Sequence, residues 1–233
     1  MGNRPATESR SAKGQSGLAD HKLTMNYRRQ HTLTRLPLSV TPSVELFALD
    51  KRSQSDVHES PFYYLQSLRN GVLGRLQSGA GGDGLQMKAR LWEETYIRQA
   101  PTFANDLADF VASSCSTGFD LLASVPTTRE ALLLPYCQAF ARRFPSASNS
   151  TGSLVRVETW DSSKAISIDE CIKAVHFKQE PQSRPADRIL VIDDVLASGK
   201  SAAVVIEFLR RHYDPSPTYF AVACPLWIST GTS

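Results

Sequence analysis

Residues 189–201 read ILVIDDVLASGKS, and they contain a strand signal, a pair of acids and a helix start in immediate succession. Residues 189–192 are apolar without alternation, as in a parallel strand that is covered on both faces. Asp193 and Asp194 follow, then a run of small residues, and residues 202–211 (AAVVIEFLRR) have apolar positions at helical spacing. The predicted order is therefore strand, acid pair, turn and helix.

The ending SGKS invites comparison with a nucleoside-triphosphate loop, whose pattern is G-x-x-x-x-G-K-[ST]. The first glycine of that pattern would fall five positions before Gly199, where Asp194 stands. A carboxylate there has the wrong charge, and its side chain occupies space that the loop needs. The pattern thus argues against NTP hydrolysis, and hydrolysis that survives Asp193→Asn but is lost in Lys200→Ala would restore that hypothesis.

The turn suits a phosphate. A turn leading into a helix N-terminus presents unpaired backbone N–H groups and the positive end of the helix dipole, which together bind a phosphate monoester. Carboxylates just before the turn can accept hydrogen bonds from the two vicinal hydroxyls of a ribose. The stretch therefore predicts a site for a ribose 5-phosphate, with an ordinary helix-capping acid pair as the alternative. The turn consists of Ala197, Ser198, Gly199, Lys200 and Ser201.

This stretch resembles the phosphoribosyl-pyrophosphate (PRPP) loop of the type I phosphoribosyltransferases in the order and spacing of its apolar, acidic and small residues. Lys200 departs from the pattern, since glycine is most usual there; it would narrow the pocket or add a cation. The resemblance implies that Asp193 and Asp194 hold the ribose hydroxyls, that Asp194 accepts a proton from the nucleophile, and that residues 197–201 bind the 5-phosphate.

The remaining pattern predicts a doubly wound α/β domain. Strands are predicted at 119–125, 154–160 and 218–224, and helices at 103–113 and 131–144, with a short helix or loop at 168–176. Pro135 is expected either to kink its helix or to mark its first turn. Alternating strands and helices favour a mostly parallel sheet.

Ligands of such sheets bind beyond the carboxyl ends of the strands, near the reversal of strand order. The loop VPTTRE, residues 125–130, should therefore face the same crevice as the acid pair. It is similar to the proline-arginine loop of ComF-like members, which implies that Thr127, Thr128 and Arg129 contact pyrophosphate. The alternative is that Arg129 is a solvated arginine at a helix start. The zinc ribbon of many ComF-like proteins is missing, because the chain has no C-x-x-C pair.

The resemblance also implies Mg²⁺, bound mainly through PRPP and water rather than by protein ligands. Adjacent side chains on a strand point to opposite faces, so both acids can serve only if the chain bends there. A lid is expected at residues 161–164 or 177–187. Trp227 is expected either to stack on a base or to cover the edge of the core.

Three segments are predicted. Residues 1–35 are polar and basic and are expected to form a disordered tail. Residues 36–100 form an N-terminal segment, a possible hood or helical cover, with extended chain at 36–49 and helices at 61–76 and 85–99. Residues 101–233 are the phosphoribosyltransferase-like α/β domain.

Composition agrees with a soluble protein of a reducing compartment, and we expect this protein to be cytoplasmic. The chain has 233 residues, a net charge of +3, four scattered cysteines and no apolar run long enough to span a membrane. Two functions stay open: a transferase that acts on a purine or another nitrogen base, and a PRPP- or nucleotide-binding regulator or ComF-like DNA-uptake accessory. A homo-oligomer is expected, and the basic tail leaves nucleic-acid binding open.

Overall fold

The computed structural model describes residues 27–36, 43–53, 62, 64–65, 82–157, 167–178, 185–213 and 217–229, and of residues 82–92 only the backbone. Most of the predicted tail, most of the predicted helix at 61–76 and the lid segments 161–164 and 179–184 lie outside the described residues. Tyr64 and Leu65, which are described, are helical.

The described elements alternate between strands and helices for most of the chain. In order they are β1 Gln30–Thr34, β2 Val44–Ser53, α1 Gly82–Ser114, β3 Leu121–Ser124, α2 Glu130–Arg143, β4 Ser148–Ser150, β5 Leu154–Arg156, α3 Ile168–Lys173, β6 Val175–Phe177, β7 Arg188–Ile192, β8 Val195–Leu196, α4 Lys200–His212 and β9 Tyr219–Ser229.

The central sheet has the strand order β1-β2-β9-β7-β3-β4, and the short strand β8 also pairs with β9. All these pairs are parallel except β1 with β2. From β3 the chain continues to β4 on one side, and then returns to β7 and β9 on the other. The strand order thus reverses between β3 and β7, and the predicted α/β class with a mostly parallel, doubly wound sheet is confirmed.

Helices cover both faces of the sheet, which explains the unbroken apolar strands. Leu190 and Ile192 of β7 face the core formed with α1 and α2, whereas Ile189 and Val191 face the core formed with α4 and α3. Each of these four side chains is fully buried. β7 therefore needs apolar residues at successive positions, as a strand buried on both faces does.

The helix α1 joins two helices that the sequence predicted separately, at 85–99 and 103–113. It runs through Pro101, although a proline inside a helix removes one backbone hydrogen bond. Its buried residues continue at helical spacing on both sides of the proline, and this shared apolar stripe packs against the sheet. They include Tyr96, Ala100, Phe103, Leu107 and Val111.

Two boundaries near the N-terminus are corrected. Gln30–Thr34, predicted to be disordered, form β1 and pair antiparallel with β2. The low apolar content of the whole tail concealed this strand, which is stabilised by backbone pairing. The predicted boundary between residues 100 and 101 falls inside α1, and β2 pairs with β9, so the described parts of both segments share one sheet.

The third strand of the central sheet was also predicted at the wrong place. The described part of 154–160 forms β5, which pairs antiparallel with β6 outside the central sheet. The strand beside β3 is instead β4, whose sequence SNS is too short and polar to give a strand signal. Pro135 lies inside α2, which begins at Glu130, so it does not mark the first turn.

The four cysteines, Cys115, Cys137, Cys171 and Cys224, are buried free thiols. Among the helices that the structure describes, none has the length and apolar content needed to cross a membrane.

Candidate functional site

The two predicted loops begin side by side at the carboxyl edge of the sheet. Strands β3 and β7 are paired in parallel, and Ser124 at the end of β3 lies opposite Ile192 at the end of β7. The loops that follow the two strands therefore leave the sheet at the same level. The backbone N–H of Val125 donates to the carbonyl of Ile192 at 2.9 Å. The loop at 125–130 and the acid pair therefore start at the point where the strand order reverses, as the sequence predicted.

The acid pair interrupts the strand without changing its register. The backbone N–H of Asp193 still donates to the carbonyl of Ala223 at 3.0 Å, and the chain bends at Asp194 before β8 resumes pairing with β9. The Asp193 carboxylate accepts the backbone N–H of Asp194 at 2.9 Å. The predicted bend at the strand end is thus present.

The carboxyl group of Asp194 lies near the layer of α1 and α2. Burial raises the pKa of Asp194, and the guanidinium of Arg129 is the largest opposing influence. Tyr96 of α1 and Tyr136 of α2 both have pKa values raised by burial, to which the charge of Asp194 adds. The fold therefore brings Arg129 and Asp194, which the sequence placed on separate loops, within electrostatic range of each other.

Arg129 stands at the N-cap of α2, and its side chain is exposed at the carboxyl edge. Its backbone N–H donates to the hydroxyl of Thr127 at 3.1 Å, which fixes the loop just before the helix. A cation at a helix N-terminus opposes the helix dipole, so this position favours Arg129 only where negative charge is near. Asp194 supplies part of that charge. Thr127 is half-buried and Thr128 is exposed beside it.

The predicted phosphate turn has the conformation that its sequence requires. Gly199 has φ of 70°, the left-handed region that side-chain-bearing residues rarely adopt, and α4 begins directly after it at Lys200. Ala197 is half-buried and Ser198 is exposed. The backbone N–H of Lys200 donates to the hydroxyl of Ser198 at 3.4 Å, and the first intrahelical bond runs from the N–H of Ala203 to the carbonyl of Gly199. The N–H groups of Ser201 and Ala202 between them therefore have no acceptor within the helix, and they lie at this edge next to the acid pair.

Lys200 lies close enough to α3 to influence two of its residues. The pKa of Glu170 is lowered mainly by hydrogen bonds with Ser167, which form a capping box at the start of α3, and the Lys200 ammonium lowers it further. Lys200 also opposes the rise in pKa that burial gives Cys171. The lysine that departs from the usual pattern is thus positioned beside α3.

Several aromatic residues near the acid pair were missed at the sequence level. The hydroxyls of Tyr96 and Tyr136 are 2.8 Å apart, and the ring of Tyr64 lies 5.6 Å from that of Tyr96. Burial and a hydrogen bond with Glu93 raise the pKa of Tyr64, and Arg129 opposes that rise. No motif marks these tyrosines, because the sequence around each of them shows only the apolar spacing of an ordinary helix. They link the segment 36–100 to the predicted site.

Trp227 lies near the ends of β2 and β9, where it covers the edge of the core. It packs against the core on the α4 side, and the Lys51 ammonium lies 4.3 Å from its ring centre. Next to it, the buried Asp50 carboxylate accepts a hydrogen bond from Arg52 at 2.7 Å. The interpretation of Trp227 as a cover for the core edge fits this packing.

The acid pair forms no larger metal-binding cluster with the residues that the structure describes. Within the described ranges, no three His, Cys, Asp or Glu side chains are grouped so as to hold a metal ion. Its carboxylates supply oxygen atoms, the type of group that Mg²⁺ prefers, and Mg²⁺ usually keeps several of its water ligands when it binds near such groups.

No protein-family model and no curated protein matches the sequence. Among solved structures, the chain is similar to the Helicobacter pylori xanthine-guanine-hypoxanthine phosphoribosyltransferase, with 14% identity and a TM-score of 0.37 over 60% of this chain and 85% of that chain. It is also similar to a Trypanosoma cruzi hypoxanthine phosphoribosyltransferase, with 12% identity and a TM-score of 0.36 over 55% of this chain and 64% of that chain. A variant of the Trypanosoma cruzi enzyme complexed with its product IMP matches at 14% identity and a TM-score of 0.34. TM-scores below 0.5 do not assign the chain to a family.

Proposed function

We propose that this protein transfers the ribose 5-phosphate of PRPP to a nitrogen atom of a purine or another base and releases pyrophosphate. One observation carries the proposal. The acid pair Asp193-Asp194 stands between a buried parallel strand and a turn with left-handed Gly199, and the same edge of the sheet presents Arg129 at the point of strand reversal.

Each part of the edge has a matching part of PRPP. The turn at residues 197–201 and the N-terminus of α4 would hold the 5-phosphate. Asp193 and Asp194 would accept hydrogen bonds from the ribose hydroxyls, and the loop with Thr127, Thr128 and Arg129 would hold the pyrophosphate. Mg²⁺ would be bound through phosphate oxygens and water, and it would supply neutralisation of the leaving pyrophosphate.

The reaction breaks the bond between the anomeric carbon and the pyrophosphate oxygen, whose electron pair leaves with pyrophosphate. A new bond forms from the base nitrogen to the anomeric carbon, through a transition state with oxocarbenium character. The proton of that nitrogen passes to Asp194. A carboxylate whose pKa is raised by burial is a better proton acceptor than an ordinary one, which suits Asp194 for this role.

The experiment is a calorimetric titration with PRPP and Mg²⁺, followed by a panel of free bases with pyrophosphate release as the readout. Xanthine, guanine and hypoxanthine, the bases named for the similar structures, are the first to try. We expect saturable binding and release with at least one base. Binding without release for any base would favour the alternative, a PRPP-binding regulator or ComF-like accessory, and absence of binding would contradict both.

A further inference from the structure

The strands β2 and β9 continue past the level at which β7 ends. Ile192, the last residue of β7, lies opposite Ala223 of β9, whereas β9 is paired with β2 as far as Ser229. At about 3.3 Å per residue, β9 thus continues for about 20 Å beyond that level. The paired ends, residues 50–53 and 226–229, therefore form a two-stranded extension beside the acid pair, which follows β7 directly.

The side chains of this extension alternate between the two faces of the sheet. Leu226 and Ile228 pack in the core formed with α1 and α2, whereas Trp227 packs in the core formed with α4. Asp50 lies opposite Leu226, and Arg52 lies opposite Ile228. Because paired residues of parallel strands project from the same face, Asp50 and Arg52 lie on the α1 and α2 face of the extension.

Arg52 is held by a buried carboxylate and has N–H groups left over. Its Nε donates to Oδ2 of Asp50 at 2.7 Å, and Asp50 is 4% exposed. The Arg52 side chain itself is 24% exposed. Its terminal nitrogens, Nη1 and Nη2, have no hydrogen-bond partner among the residues that the structure describes. A guanidinium that is largely removed from water and bonded only through Nε is a strong, pre-oriented donor for an acceptor group of a ligand.

The proposed reaction sets the side of the acid pair on which the acceptor base enters. The loop proposed to hold pyrophosphate follows β3 on one side of β7, and β9 and β2 lie on the other side. A displacement at the anomeric carbon brings the nucleophile to the face opposite the leaving group, as in an inverting glycosidase. The base should therefore lie toward the extension of β2 and β9.

The extension is within reach of a base attached to a ribose at the acid pair. Asp50 and Val195 lie on the two sides of Leu226, in β2 and β8, so their Cα atoms are about 10 Å apart, which is two strand spacings. Val195 directly follows Asp194, and Arg52 lies two residues beyond Asp50. A purine ring and the long side chain of Arg52 can together span this gap.

We propose that Arg52 selects the acceptor base, and that it favours a base with two hydrogen-bond acceptors side by side, such as the O6 and N7 atoms of a 6-oxopurine. A guanidinium donates to both atoms at once, whereas a 6-aminopurine presents an amino donor in place of O6. Asp50 is a positioning residue, because it contacts Arg52 and fixes the guanidinium from a buried position. This role of Arg52 rests on the proposed function and narrows its substrate class.

The test is calorimetric titration of two nucleotides, IMP and AMP, which share the ribose 5-phosphate and differ at position 6 of the base. We expect the wild type to bind IMP at least about tenfold more tightly than AMP, and Arg52→Gln to lose this preference, since glutamine pairs with the N6 and N7 atoms of adenine. Lys51→Gln is the matched control and should keep the preference, because Lys51 lies against the ring of Trp227 on the other face. If Arg52→Gln leaves the Asp50 charge unpaired and does not fold, Asp50→Asn/Arg52→Gln, which removes both charges, takes its place.

Titration of Mg²⁺-PRPP into the same proteins separates this role from the proposed function. A wild type that binds PRPP but binds IMP and AMP equally would overturn selection by Arg52 and leave the proposed function standing. An unchanged IMP preference in folded Arg52→Gln would do the same. A folded Arg52→Gln that loses PRPP as well as IMP would place Arg52 on PRPP instead of the base, which also overturns its role in selection. A wild type that binds neither PRPP nor either nucleotide would contradict the proposed function itself, and the role of Arg52 with it.

Discussion

At the scale of single residues, Asp194 is an acid in a position that is costly for a charge. Burial raises its pKa, and Arg129 offsets only part of that effect. The folded protein therefore binds the proton of Asp194 more tightly than the unfolded chain does. The charged form of Asp194 therefore lowers the stability of the folded protein. This loss of stability develops as the pH rises from the pKa of Asp194 in the unfolded chain through its pKa in the folded protein.

Replacing Asp194 with asparagine should therefore increase stability at neutral pH while it abolishes transfer. We expect the melting temperature of Asp194→Asn to exceed that of the wild type by an amount that grows as the pH is raised from 4 to 8. The measurement is thermal unfolding followed by circular dichroism over this range. Asp109→Asn, which changes an exposed carboxylate in α1, is the control and should show no such trend. A difference that is constant with pH would mean that Asp194 does not carry a raised pKa.

Arg129 should act mainly on the ligand and little on stability, because its side chain is exposed. We expect Arg129→Gln to weaken binding of Mg²⁺-PRPP at least about tenfold, as the loss of a charged hydrogen-bond donor to a phosphate does. Calorimetric titration measures the change. Arg142→Gln removes an exposed arginine of the same helix that is bound to Asn105, and it should bind as the wild type does. Equal affinities for both variants would remove Arg129 from the site.

Residues that belong to one local pattern could be predicted from the sequence, and residues that meet through tertiary packing could not. The acid pair, the glycine of the turn and Arg129 can be recognised from the residues next to them in the sequence. Tyr96 and Tyr136 are separated by 40 positions and meet because α1 and α2 lie side by side. Nothing in either helical pattern distinguishes these tyrosines from ordinary core residues.

At the scale of elements, α1 shows how packing overrides a local helix signal. Pro101 is exposed, and the helix continues through it because residues before and after it share a buried face. The sequence predicted two helices since a proline is a usual helix boundary. The free energy of burying one stripe of apolar residues exceeds the cost of the missing hydrogen bond.

Pro101→Ala should therefore stabilise the protein. It restores a backbone N–H and removes the clash of the ring with the preceding turn, and we expect the free energy of unfolding to rise by about 1–3 kcal/mol. Urea unfolding measures it. Thr102→Ala, an exposed change at the next position in the same helix, is the control and should have a small effect. A lower stability of Pro101→Ala would indicate that the proline shapes a bend that the packing needs.

At the scale of the whole molecule, the sheet order could not be read from the sequence. Parallel strands pair across long connections, so a pattern predicts that strands exist but not which ones are neighbours. Tertiary pairing alone places β2 beside β9. It also makes a strand of Ser148–Ser150, which has no strand signal of its own. The sequence did predict the class of sheet and its carboxyl edge, because apolar runs and the loops after them are local features.

The strand order predicts a gradient of local stability. The strands β9, β7 and β3 have a hydrogen-bonded neighbour on each side, whereas β1 and β4 are the ends of the described order. Amide hydrogen exchange followed by mass spectrometry should therefore be slowest in peptides from β7 and β9 and faster in those from β1. Protection in β1 equal to that in β7 would contradict the described strand order or indicate a partner at this edge.

The most direct test of the account is the titration of Mg²⁺-PRPP into the wild type and into the double variant Asp193→Asn/Asp194→Asn. We expect saturable binding by the wild type and none by the double variant, with circular dichroism showing that the double variant is folded. Asp109→Asn should bind as the wild type does. Equal affinity in the wild type and the folded double variant, or no binding by the wild type, would contradict the central claim that the edge between β3 and β7 is a PRPP site.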